Sequence, residues 1–69
     1  MQHPPAVCFI QKEPFTHKWI LHIGNKNDEI IYFSDNTVRL MNLADHYFEK
    51  ELAWDSVVTE YGLEIWAEL

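Results

Sequence analysis

Cysteine, glycine, proline and basic residues are all scarce in this chain: one Cys, two Gly, three Pro and five Lys or Arg among 69 residues. Each scarcity excludes something. A lone Cys8 cannot close an intrachain disulfide, which removes the small secreted scaffolds held by bridges. Two glycines leave no Gly-rich phosphate cradle. So little Gly and Pro, beside 48% apolar residues, also exclude a disordered tail or a low-complexity linker. No apolar run approaches the roughly 18 residues that a membrane-spanning helix needs. The first residues, Met1-Gln2-His3-Pro4-Pro5, lack the basic and apolar regions of a signal peptide, so a cytoplasmic location is expected. A chain of this length makes one domain, spanning 1–69, and buries only about 60% of its unfolded surface.

Acidic residues and aromatics are plentiful instead. The net charge is −6, and it is unevenly placed. Over 1–43, Lys12, Lys18, Lys26 and Arg39 balance Glu13, Asp28, Glu29 and Asp35; over 44–69, Lys50 stands alone against Asp45, Glu49, Glu51, Asp55, Glu60, Glu64 and Glu68. The last 26 residues therefore carry the whole excess. Such a surface repels phosphates and anionic headgroups, so direct binding to nucleic acid or a membrane is not expected. It is either a solvated face that keeps a small protein soluble or an acidic docking surface for a basic protein.

Along the chain, His3-Pro4-Pro5 reads as an extended entry to a strand over 6–10. A run over 18–23 alternates Trp19, Leu21 and Ile23 against Lys18, Ile20 and His22, and the 24–28 cluster Gly-Asn-Lys-Asn-Asp reads as a turn. Glu29 to Ser34, then Asp35-Asn36, then Thr37 to Met41 read as a tight hairpin between β-branched runs, making 18–43 a three-stranded antiparallel meander. Asn42 reads as a helix N-cap with Asp45 in the first turn. Ala44, Phe48 and Leu52 then recur every four residues, which predicts a helix over roughly 43–53. Over 54–69 helix and hairpin compete, since Trp54, Val58, Tyr61, Ile65 and Leu69 also form a helical stripe. Val57-Val58-Thr59 and Gly62 favour the hairpin, with a 60–62 loop that sets Val57 opposite Ile65 and Thr59 opposite Leu63. The fold class expected is α+β: a small antiparallel sheet packed on one helix. A strand beginning near the chain end at Ala6 is a candidate open edge for homodimerisation.

Chemistry-bearing patterns are thin. His3, His17, His22 and His46 lack zinc-site spacing, and Cys8 in an apolar strand reads as a core residue, so no metal or cofactor is expected. Glu49 and Glu51 would lie on different sides of the predicted helix, and so short a chain leaves little room for a cavity of about 300 Å³. No catalytic residue is assigned, and the protein is not expected to be an enzyme. Ten aromatic side chains exceed what one small core requires, and Trp and Tyr are typical interface anchors. Tyr47 and Trp66, both amid the acidic excess, are the expected anchors of a partner-binding surface made by Asp45, Glu49, Glu51, Asp55, Glu60, Glu64 and Glu68.

The stretch Ile30-Ile31-Tyr32-Phe33-Ser34-Asp35-Asn36-Thr37-Val38-Arg39-Leu40-Met41-Asn42-Leu43, with Leu63-Glu64-Ile65-Trp66 after it, resembles a family of small bacterial domains of unknown function. In that family a Phe-Ser/Thr-Asp-Gly hairpin leads to a short helix and a Trp-bearing strand. The resemblance covers about 29–66 and implies an α+β fold beside toxin–antitoxin-like partners, in a bacterial or phage-infected cell; it supplies no catalytic residues. The functions expected are an antitoxin-like inhibitor of a basic partner, a phage anti-defence (anti-CRISPR-like) protein acting as a partial DNA mimic, or the subunit of a homo-oligomer.

Overall fold

The computed structural model describes residues 7–24, 29–60 and 62–68. The elements run β1 (Val7–Lys12), β2 (Trp19–Gly24), β3 (Glu29–Ser34), α1 (Thr37–Phe48), β4 (Ala53–Thr59) and β5 (Gly62–Glu68). All five strands join one antiparallel sheet in the order β3-β2-β1-β5-β4, with α1 packed on one face. The α+β class expected from the sequence is the one found. The expected entry at 3–5 and the turn residues 25–28 lie outside the described residues.

Alternation along the strands sorts the side chains. Cys8, Ile10, Leu21 and Ile23 point to the helix, where they meet Leu40, Ala44 and Leu52 in a buried core. Trp19, Met41, Phe48, Trp54, Ile65 and Ala67 close around it. The alternation read over 18–23 is therefore correct, with Leu21 and Ile23 inside. Among the described residues no helix is long and apolar enough to cross a membrane.

Three expectations fail. The first is the meander: Thr37 to Met41 is not a strand but the start of α1. Asn36 ends no hairpin. It is the N-cap, its Oδ1 accepting from the Val38 N–H at 2.9 Å and the Arg39 N–H at 3.4 Å. Those bonds satisfy orphan donors of the first turn, and β-branched Thr37 and Val38 are tolerated because packing of Leu40 and Ala44 on the sheet outweighs their weak strand preference. Asn42 is consequently mid-helix, and the helix is 37–48 rather than 43–53. It stops at Phe48 because Glu49 adopts the left-handed conformation (φ 56°), and the Lys50 N–H returns to the Asp45 carbonyl. Leu52 reaches the core from the loop that follows.

The second is the pairing of the C-terminal hairpin. The hairpin forms, but its register is one residue from that expected: Thr59 faces Gly62 and Val57 faces Glu64. A one-residue slip exchanges the two faces of a strand. β5 is held from its other side, where Ile10 opposes Ile65 and Phe9 opposes Trp66, so Ile65 must share the helix face with Ser56 and Trp54 must meet Ala67. Gly62 takes φ +117°, a conformation other residues rarely adopt. The third is the open edge. β1 is hydrogen-bonded on both sides, to β2 and to β5, so the edges of this sheet are β3 and β4.

Candidate protein-binding face

The helix covers one side of β1, β2 and β3, and nothing covers the other side of the sheet among the described residues. Register places one straight row across all five strands of this open face: Ile31, His22, Phe9, Trp66 and Asp55. Phe33, Ile20, Gln11, Glu64 and Val57 make the next row. Phe33 is 61% exposed, Ile31 46% and Val57 47%.

The centre of the first row is an aromatic stack. The Phe9 ring lies 4.4 Å from the His22 ring and 4.5 Å from the Trp66 ring, with interplanar angles of 9° and 17°. Those spacings approach the distance between neighbouring strands, about 4.7–4.9 Å. Rings lying flat on the sheet could not come so close, so they stand on edge and stack along the row. Both ends of the stack are tied down. The Trp66 indole N–H donates to Glu64 Oε1 at 3.0 Å, and His22 Nδ1 lies 2.7 Å from Glu29 Oε1. With its proton on Nδ1, His22 donates to that carboxylate, and its Nε2 is buried without a hydrogen-bond partner.

The strand positions of this face carry negative charge alone, and Lys18, which precedes β2 and continues the alternation of Ile20 and His22, stands at its margin, two strands from β5. Strand positions 7, 9, 11, 20, 22, 24, 29, 31, 33, 53, 55, 57, 59, 62, 64, 66 and 68 hold no Lys or Arg, while Asp55, Glu64 and Glu68 gather around Trp66. Asp55 and Glu68 are diagonal neighbours. The Asp55 carboxylate hydrogen-bonds the Glu68 carboxyl and repels its charge, which holds Glu68 above the ordinary value of 4.5.

The seven carboxylates expected to form one docking surface are thus divided. Asp55, Glu64 and Glu68 join Trp66, which is 37% exposed, on the open face. Glu60 sits in the exposed turn at the tip of the β4–β5 hairpin. Asp45, Glu49 and Glu51 lie on the helix side, where with His46 and Lys50 they line an open depression of about 580 Å³. The depression is shallow and open rather than an enclosed cavity, and Glu49 and Glu51 both line it because the helix has ended before either. Asp45 also supports the backbone, since its Oδ1 accepts from the Leu52 N–H at 3.1 Å and fixes the loop into β4. Tyr47 is 51% exposed, but it packs edge-on to Phe48 on the helix, away from Trp66.

Cys8 is buried in the core, and burial, followed by the nearby charge of Asp45, pushes its thiol up to about 11. It remains a neutral thiol near pH 7. Among the described residues no three His, Cys, Asp or Glu side chains converge as a metal site. The sequence pattern pointed to Trp66 and its acidic neighbours but not to Phe9, His22, Ile20, Ile31 and Phe33. The available signal was that Phe9 alternates with Cys8 and Ile10, and Ile20 and His22 with Leu21, which assigns them to the side opposite the core. No protein-family model, curated protein or solved structure matches the chain.

Proposed function

We propose that this is a small acidic protein-binding module, an inhibitor or antitoxin-like regulator, that docks the open face of its sheet on a basic partner protein. The observation that carries this reading is the composition of that face: a fixed aromatic row with apolar flanks, ending in three carboxylates and holding no cation at any strand position. Aromatic anchors in a desolvated centre supply most of the binding energy of protein interfaces, and charge complementarity sets partner choice and association rate. Two copies pressed face to face would set Asp55, Glu64 and Glu68 against strand positions that hold no Lys or Arg, with Lys18 only at the margin, which favours a different, basic protein over self-association. A partner that itself binds nucleic acid, whether a toxin or a defence enzyme, would meet carboxylates where it expects phosphates.

A photocrosslinking residue placed at Ile31 or Val57 in the source cell, with Val38 on the outer face of the helix as control, tests the reading. Adducts to one basic protein from both open-face sites but not from Val38 are expected. Adducts only to a second copy, or only from Val38, would overturn it.

A further inference from the structure

The aromatic stack is closed at one end and open at the other. Phe9 covers one face of the Trp66 ring, and the other face looks along the row toward β4, where the next residue is Asp55. An Asp side chain is too short to cover an indole. The Trp66 ring is therefore bounded on its outer side by carboxylates, Asp55 in the row and Glu68 diagonal to it, and the residue is partly exposed. The indole edge is held by Glu64, so the ring presents this face in a fixed orientation.

Among the described residues no Lys or Arg is paired with this spot, and Lys18, on the same side of the sheet as Ile20, lies two strands from β5. Lys12 is over the Trp19 ring, 5.6 Å from its centroid, on the helix side. Arg39 is on the helix and Lys50 lines the depression beyond its end. The neighbouring carboxyls instead share a hydrogen bond that favours keeping a proton on Glu68, as two acids do when no cation is at hand.

We infer that the outer face of Trp66 is an arginine subsite, where a guanidinium of the basic partner stacks as the next layer after His22, Phe9 and Trp66 and pairs with Asp55 and Glu68. The inference rests on the reading of the open face as a basic-protein dock, and it names the group that the face recognises. The geometry selects arginine over lysine. A guanidinium is planar, weakly hydrated and about as thick as a ring, so it stacks on an indole at the spacing already set by the row; its fork of N–H donors meets two carboxylates at once. An ammonium offers a point charge with a tightly held water shell and gains less from the ring.

The test is a titration of the isotopically labelled protein with capped hexa-arginine and capped hexa-lysine peptides, which carry equal charge, followed by the Trp66 indole N–H and the amides of Phe9 and Asp55. The arginine peptide is expected to shift these signals and to bind about tenfold more tightly than the lysine peptide. Trp66→Ala should abolish the preference while leaving weak, salt-sensitive binding of both. Should that variant fail to fold, Asp55→Asn with Glu68→Gln, which leaves the ring in place, should reduce arginine-peptide binding at least as much. Equal affinity for the two peptides, with shifts still on the open face, would overturn the arginine subsite and leave the basic-protein dock standing. Shifts confined to Asp45, Glu49 and Glu51, or none from either peptide, would overturn both. Concentration-dependent broadening of Trp66 without peptide would assign the face to a second copy and overturn both as well.

Discussion

The two faces of the sheet are built from the same strands by the same alternation, yet they contain different chemistry. The covered face is small and aliphatic at its centre, with Cys8, Ile10, Leu21 and Ile23 sealed under Leu40 and Ala44. The open face is aromatic at its centre, with His22, Phe9 and Trp66 stacked in a row and carboxylates at one end. In a protein this small one helix can close only one side of five strands. On the proposed reading, stability and recognition fall to alternate residues of the same segments: Ile10 and Leu21 hold the fold, while Phe9 and His22, one residue away, lie partly buried on the open face.

Replacement of one residue from each face tests this division most severely. Leu21→Ala leaves a cavity under the helix and should cost about 3 kcal/mol, a large share of the stability of so small a domain. Ile31→Ala on the open face, where the side chain is half exposed, should cost under about 1 kcal/mol. Denaturant unfolding of both variants measures the difference, and equal losses would erase the distinction between the faces.

Binding should separate the two sides as well. Neutralising Asp55, Glu64 and Glu68 together should slow association with the partner about tenfold at low salt and flatten its salt dependence, because exposed charges steer encounter and are screened over about 8 Å at physiological ionic strength. Neutralising Glu49 and Glu51 on the helix side should leave the rate unchanged. Stopped-flow rates across a salt series decide between them; equal slowing would return the docking surface to the acidic residues as a whole.

Smaller effects are expected in the helix that closes the covered face. Asn36→Ala should cost about 1 kcal/mol and Asn42→Ala less than about 0.5, since only Asn36 caps the first turn. Glu49→Gly should gain about 0.5–1 kcal/mol by relieving a left-handed residue that carries a Cβ. Thermal unfolding reads both. The smallest effect belongs to Glu68, whose folded-state titration lies above 4.5 because of Asp55. A proton held more tightly in the folded state favours folding at low pH, and that contribution is lost as pH rises through the raised value. Asp55→Asn should bring the Glu68 titration, followed by NMR, back toward 4.5.

Period-two alternation is enough to identify β2 and its buried side, and the acid-rich C-terminal third holds the three carboxylates that frame Trp66. Thr37 to Met41 cannot be read the same way. Its β-branched residues favour a strand locally, while the Asn36 cap and the Leu40–Ala44 stripe favour a helix, and the choice depends on a sheet surface that exists only once β1, β2 and β3 have paired. The hairpin of β4 and β5 is legible in its turn residues but not in its register, which contact with β1 sets from outside the hairpin.

The class of fold, the buried pattern of β2 and the concentration of negative charge can be read along the chain, because alternation, composition and charge are local properties. That Phe9, His22 and Trp66 form one stack, that Asp55 ends it, and that Asp45, Glu49 and Glu51 belong to another side of the molecule follows from the pairing of the strands. Residues 9, 22 and 66 are far apart along the chain, and they become neighbours only through the strand order β3-β2-β1-β5-β4 and its register. No local pattern encodes that order, because it is fixed by the joint burial of one face of every strand.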